Sequence, residues 1–357
     1  MKFRLNKNSK IYVLAPASID SGGPTDLHQL ALVLKNKFKK KVYMHYFPTI
    51  KNPVHKNYKA FKIPFKNKII DVKENILIVP EVYQTIEISK KYTNIQKGLW
   101  WLSVDLFLYH RFMNKNHSII KSLIKIPHKL INFFNRFTSF YFGNISFFKY
   151  LKFIYLSQPF YNLFKIKDIK VNLVHSDYQF EALRSKKVKS VYLSDYIRDE
   201  YFKASKKILI KNKKNIICYN PRKNSIFFDK FIKLYPHIKF IPLINLNLKQ
   251  MISTLSKSKI YIDFGFHPGQ DHLPREAAIL KNCIITNREG SAAHYNDIPI
   301  KNEFKFEEKN QNFFKIKQKI ELIFNEFSQE LKKFKYYRKI LGEQEKIFNN
   351  QISKIFN

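Results

Sequence analysis

Short apolar runs alternate along this chain with stretches in which apolar residues recur every three or four positions, the pattern of buried strands and amphipathic helices in turn. Ile11-Tyr-Val-Leu-Ala15 predicts a first strand. Leu27, Leu30, Ala31 and Leu34 predict a helix over Leu27–Lys37, after a loop that carries Gly22 and Gly23. Val42–Tyr46 and Ile76–Val79 read as further strands, Glu81–Lys91 as a helix, and Gly98–Asp105 as the end of another strand. Val171–Ser176 predicts a strand and Asp177–Ser185 a helix, and Ser190–Ser194 closes this half. The second half repeats the rhythm. Asn215–Tyr219 is a strand, Pro221–Asn224 a loop, and Ser225 a cap for a helix to Tyr235. Lys239–Ile244 and Leu248–Ser256 follow as strand and helix, and a helical tail begins near Asn310. Regular alternation of strand and helix predicts parallel sheets. The expected fold class is α/β, with two Rossmann-like domains over 1–200 and 201–335 and a C-terminal helix over 336–357.

The stretch from Ile260 to Thr286 says most about function. Gly265, Pro268 and Gly269 break its apolar start. Pro274 suits the first turn of a helix, where a missing N–H costs nothing. That helix is expected to reach Asn282, and Cys283-Ile-Ile-Thr286 begins a second buried strand. Arg275 and Glu276 thus stand in the first turn of a helix that follows the carboxyl end of a strand. Ligands bind at that edge in parallel α/β sheets, and helix N-termini there offer free N–H groups to anions. His267 lies in the loop before the helix, and Gly290 and Ser291 lie in the next loop at the same edge. In the first half, the pair Gly22 and Gly23 lets a backbone approach a phosphate closely, or simply makes a tight strand-to-helix turn.

Glu276-Ala-Ala-Ile-Leu-Lys-Asn-Cys-Ile-Ile285 lies position for position on a Glu-Ala-Met-Ala-x-Gly-x-Pro-Val-Ile run. With the strand, loop and helix around it, the chain resembles the group-1 nucleotide-sugar-dependent glycosyltransferases of GT-B fold. Lys281 and Cys283 replace the family's Gly and Pro, and Pro268 replaces its earlier acidic residue, eight positions before the Glu; Asp271 is acidic but at another offset. The resemblance implies two Rossmann-like domains facing across a cleft, acceptor on the first and nucleotide sugar on the second. It implies that Glu276 holds the donor's ribose hydroxyls; complementing the helix dipole is the alternative role. It also implies that Arg222, Lys223 and Arg275 meet the diphosphate, whose growing charge needs fixed cations in the transition state. His267, Gly290 and Ser291 would line the nucleotide. Gly22 and Gly23 match the Gly-Gly that precedes the first helix in many such enzymes. Asp26 or His28 would deprotonate an acceptor hydroxyl if transfer inverts, although an Asp there also caps a helix. Glu81 and Asp105 fall at strand ends and would line the acceptor. The nucleotide sugar is expected as co-substrate, with no organic cofactor. The chain has no Asp-x-Asp motif and no His/Cys cluster, so no dedicated metal site is expected.

Composition changes this picture in one region. The 357 residues carry 65 Lys and Arg against 27 Asp and Glu, a formal charge of +38. Only nine of the cations are Arg, so a retained Arg is expected to do what Lys cannot, such as grip a phosphate with a planar fork. From Leu106 to Lys167 there is no Asp or Glu, while lysines interleave with aromatics such as Phe133, Phe134 and Phe137. That is the pattern of an interfacial amphipathic segment; a helical insertion packed on the first domain is the alternative. It predicts contact with an anionic membrane surface. The expectation is a peripheral protein on the cytoplasmic face of the plasma membrane, building a bacterial surface polysaccharide or glycolipid from a glycan or lipid-linked acceptor. Cys218 and Cys283, both in predicted strands, fit a reducing compartment. The first apolar run is too short for a signal peptide, and no uncharged run is long enough to span a membrane. The competing reading of the charge is a basic nucleic-acid-binding or scaffolding protein. No recurring RNA-binding motif is present and no specific nucleic acid is expected. The missing Gly-x-Gly-x-x-Gly argues against a dinucleotide enzyme.

Overall fold

The first apolar run forms a strand where the sequence places it, and the first sheet is ordered around it. The computed structural model describes residues 1–108, 164–223, 225–265 and 267–356. They fall into two units: Met1–His175 with Gln179–Leu193 and Asn349–Asn357, and Ser176–Tyr178 with Ser194–Phe348.

The first unit holds strands β1 (Lys10–Pro16), β2 (Lys41–Phe47), β3 (Ile76–Pro80), β4 (Gln96–Trp101), β5 (Ile169–Val174) and β6 (Val191–Tyr192). They form one parallel sheet in the order β2-β1-β3-β4-β5-β6. All five residues of β3 are buried. A parallel strand covered on both faces needs a continuous apolar run, which is why these strands do not alternate. Helix α1 (Gly22–Asn36) starts at Gly22 and not at Leu27. Glycine is a poor helix former, so the pair reads as loop in the sequence. Here Ser21 is extended, the Thr25 N–H bonds the Ser21 carbonyl at 3.0 Å, and Pro24 sits in the first turn where it is tolerated. Helices α2 (Tyr83–Ser89) and α3 (Asp177–Ser185) follow.

The expected amphipathic segment over 106–167 lies outside the described residues apart from its two ends. There Phe107 and Phe164 are buried, with ring centroids 4.9 Å and 5.3 Å from that of Trp101. Among the described residues, no helix is long and apolar enough to cross a membrane.

The second unit contains α4 (Asp199–Lys206), β7 (Lys214–Tyr219), α5 (Ile226–Leu234), β8 (Phe240–Pro242), α6 (Leu248–Lys257), β9 (Ser258–Asp263), α7 (His272–Ile279) and β10 (Cys283–Thr286). Its parallel sheet has the order β10-β9-β7-β8. Ser225 caps α5 as expected, accepting from the Phe228 N–H at 3.3 Å. Phe227, Phe228 and Phe231 of that helix are buried, and the Phe227 and Phe228 rings pack on Phe264 at 5.3 and 5.5 Å. Cys218 and Cys283 are free thiols in the core. Burial pushes Cys218 up to about 11 and Cys283 higher still, so both act as small apolar side chains. Helices α8 (Phe313–Asn325), α9 (Phe327–Lys332) and α10 (Lys335–Phe356) complete the chain. The residues expected as a separate terminal helix are divided: Asn349–Asn357 belong to the first unit. Phe356 packs its ring 5.2 Å from that of Phe3, and the Phe3 N–H donates to the Ile355 carbonyl at 2.9 Å.

Candidate functional site

Three loops leave the carboxyl edge of the second sheet: Asn220–Lys223 after β7, 264–271 after β9, and Asn287–Ala293 after β10. Two glycines let them touch. A Cβ at Gly265 would stand 2.6 Å from the Lys223 carbonyl, and one at Gly290, where φ is +54°, would stand 1.9 Å from the His267 carbonyl. The Ser291 N–H donates to the His267 carbonyl at 2.9 Å and its hydroxyl to the Gly269 carbonyl at 2.6 Å. Gly290 and Ser291, expected to line the nucleotide, thus pin the loop that precedes α7. Asn287 adds a bond from its side-chain N–H to the Gly265 carbonyl at 2.7 Å.

Inside this frame lies a cluster of charge. The Lys223 ammonium rests on Asp271 Oδ1. His267 is fully buried between two carboxylates, with Nδ1 3.2 Å from Asp271 Oδ2 and Nε2 3.7 Å from Asp263 Oδ1. Burial works against the His267 and Lys223 cations, but the carboxylates outweigh it and raise both pKa values. Burial likewise works to raise Asp271, yet Lys223 and His267 hold its carboxyl well below the usual range. Asp263 is fixed in turn, accepting from the Tyr261 hydroxyl at 2.9 Å and the Gly265 N–H at 3.1 Å. Asp263, His267 and Asp271 bring three potential metal-ligand atoms within 4.8 Å of one another. The Lys223 ammonium supplies positive charge there.

Glu276 is half-buried and is the fifth residue of α7, one turn further in than the first-turn position expected, because the helix begins at His272. Burial works to raise its pKa, opposed by His272, Tyr201 and Arg275 nearby. Arg275 has a different surrounding from the one expected. It is 1% exposed, and its fork closes on Asp195 with contacts of 3.0 and 2.6 Å. The same guanidinium reaches the carbonyls of Asp271 at 3.1 Å and Gln270 at 2.8 Å. It therefore braces the start of α7 from inside. Arg222 is exposed beside Lys223, donating to Asn245 Oδ1 at 2.9 Å.

In the first unit, Gly22, Gly23, Asp26 and His28 come together in the first two turns of α1. Gly22 is exposed; Gly23 has the Leu102 side chain 3.3 Å from its Cβ position. His28 has both ring nitrogens engaged. Nδ1 lies 2.6 Å from the Pro24 carbonyl and Nε2 lies 2.8 Å from the Tyr46 hydroxyl, with the ring stacked on Tyr58 at 3.8 Å. Burial lowers its pKa to about 4, against the bond to Pro24 and the nearby Asp20. That neutral, buried imidazole anchors the Lys56–Phe61 turn to α1 and has no nitrogen left for a proton transfer. Asp26 is buried near Glu81. Glu81 follows β3 and accepts the Leu102 N–H at 3.1 Å. Burial raises its pKa to about 8, opposed by that bond and assisted by the Asp26 charge. Asp105 is fully buried.

No protein-family model matches the sequence, and no curated protein matches it. Solved structures do match. Anabaena Alr3699/HepE with UDP and glucose superposes with a TM-score of 0.59 at 9% identity, over 97% of this chain and 99% of that one. Sucrose-phosphate synthase from Thermosynechococcus elongatus gives 0.57 at 9%, over 97% and 98%. A glycosyltransferase from Rickettsia africae gives 0.56 at 13%, over 97% and 99%. The chain has the GT-B fold. On this GT-B chain, the sequence did not single out Asp263, Asp195 or the full role of Asp271. Asp263 had a readable signal, a carboxylate ending an apolar strand at the ligand edge. Asp195 had none, because its partner Arg275 lies 80 positions along the chain.

Proposed function

We propose that this protein is a glycosyltransferase that moves a sugar from a nucleotide-sugar donor to a glycan or lipid-linked acceptor. The observation that carries the reading is the placement of Lys223 on a loop at the carboxyl edge of the second sheet of a GT-B fold, a phosphate-compatible cation, with the Glu276 carboxylate in the helix that follows the next loop of the same edge. The UDP-glucose complex of Anabaena HepE supports a nucleotide sugar as donor. Glu276 accepts the ribose hydroxyls. Lys223 and Arg222, with the N–H groups opening α7, meet the diphosphate. Charge grows there as the glycosidic bond breaks, so fixed cations stabilise the transition state more than the ground state. Arg275 holds α7 in place. In the first unit, Gly22 and Gly23 present α1's N-terminus, and Asp26, with Glu81 beside it, takes the place of His28 as the candidate base. Protein cations then do the work of a metal. The basic aromatic stretch supports a lipid-linked acceptor and a peripheral place on the cytoplasmic membrane face, where bacterial surface glycans are assembled.

A panel of UDP-, GDP- and ADP-sugars tests this directly. Nucleoside diphosphates should raise the melting temperature, and a cognate donor should release its diphosphate on incubation with membranes. If no nucleotide shifts melting while oligonucleotides bind in a salt-sensitive way, the charge of +38 belongs to the nucleic-acid reading instead.

A further inference from the structure

A cavity of about 510 Å³ opens at the amino edge of the second sheet, at the other end of β7 and β9 from the loops described above. Lys213 directly precedes β7 and Lys259 is the second residue of β9; both line the cavity, together with Lys211. Residues 325–329, at the junction of α8 and α9, line it as well. Lys213 is 5% exposed, and its ammonium donates to the Ser258 carbonyl at 2.7 Å, the Leu255 carbonyl at 3.2 Å and Asn282 Oδ1 at 3.4 Å. Three acceptors need three N–H donors, so this is the geometry of the charged form. Lys259 donates to the Phe324 carbonyl at 2.7 Å, with its Nζ 5.5 Å from the centre of the Phe327 ring. Among the described residues, neither ammonium pairs with a carboxylate. Buried charges are ordinarily paired, because neutral carbonyls orient a cation without cancelling its charge. Burial accordingly lowers both pKa values, that of Lys213 to about 7. Three lysines against the one carboxylate of Glu326 leave the lining positive, and a phosphate ester, with a charge of about −2, complements it. Asn325, Ser328 and Gln329 add hydrogen-bonding side chains for the body of a ligand, and the volume is that of a small-molecule site.

We propose that this cavity is a second ligand site, built for a small organic phosphate. It needs nothing from the nucleotide reading, whose residues stand at the opposite ends of the same two strands. The purely structural role for Lys213 and Lys259 is to satisfy carbonyls at the ends of α6 and α8. That role alone gives the cavity no affinity for anions, and blocking its mouth would change nothing.

Calorimetric titration of the full chain with glycerol 3-phosphate and ribose 5-phosphate tests this, with glycerol, ribose and inorganic phosphate as controls. Wild type should bind an ester more tightly than inorganic phosphate and ignore the uncharged controls. Ser328→Trp, at an exposed position of the lining, should weaken the ester about tenfold or more without moving the melting temperature. Lys213→Met should weaken it as much, through loss of a charge-assisted contact. Lys259→Gln, at a half-buried position, replaces that variant if it fails to fold. Lys223→Met should leave ester binding unchanged. A wild type that binds neither ester, or that binds inorganic phosphate equally well, would overturn the proposal. So would binding that survives both Ser328→Trp and the lysine variant. Binding lost only in Lys223→Met would place the phosphate at the nucleotide edge and overturn it too.

Discussion

His28 and Arg275 have the side chains for proton transfer and phosphate binding, and their surroundings redirect both. The His28 pKa is held near 4, chiefly by burial, against 6.5 in the unfolded chain. Between those values the unfolded chain binds a proton that the folded protein does not. Stability is therefore complete above pH 6.5 and is lost as pH falls toward 4, by on the order of 3 kcal/mol. Urea midpoints of wild type and His28→Gln should diverge at neutral pH and converge across this window; parallel curves would mean that His28 is not held neutral. Arg275 teaches the same lesson about legibility. Its placement at a helix start was readable from Pro274 and the apolar spacing. Its partner was not, because Asp195 lies 80 positions upstream. Lys223, in contrast, keeps its expected neighbourhood, on a loop at the ligand edge. Lys223→Met should weaken UDP about tenfold or more while leaving uridine unaffected, as loss of a charge-assisted bond to phosphate requires. Equal weakening of both by calorimetry would deny it a phosphate.

The end of α7 is the clearest case at the scale of elements. Leu280, Lys281 and Asn282 have helix-compatible side chains, so the sequence extends the helix through them. The structure stops it at Ile279, and Lys281 takes φ +62°. The Asn282 N–H then bonds the Ala277 carbonyl at 3.0 Å, and β10 can begin at Cys283. This is the position where the resembled glycosyltransferases carry Gly, and a left-handed residue is what such a helix end needs. The motif was legible as letters; the backbone turn that explains one of them was not. Lysine there carries strain of about 1 kcal/mol, partly offset by its bond to the Ile208 carbonyl at 2.9 Å. Lys281→Gly should therefore raise the melting temperature by a few degrees, read by calorimetry. An unchanged or lower value would show that the Ile208 bond outweighs the strain.

At the scale of the whole molecule, the two strand-helix rhythms were readable because parallel strands covered on both faces leave continuous apolar runs. The return of the chain to the first unit was not, since nothing local in Asn349–Asn357 announces its partner. In the basic aromatic stretch, replacing Phe133, Phe134 and Phe137 by Ser should release the protein from anionic vesicles at low salt, because lysines alone bind weakly and reversibly. Wild type that floats free of such vesicles would remove the membrane reading. The Phe3–Phe356 contact has a further consequence. Phe3 fills the space over Gly98 of β4, where a Cβ would stand 2.6 Å from its ring. Deleting 349–357 should expose that ring and cost about 3 kcal/mol or more in the first unit, seen as faster amide exchange in β1 and β4 with β7 and β9 unchanged. Protection that stays uniform would refute it. During synthesis the first unit must also wait: its sheet is complete at Tyr192, but the phenylalanine that packs on Phe3 emerges only after the second unit, so the nascent N-terminal half spends the remainder of translation with an open hydrophobic seam that a chaperone is suited to cover.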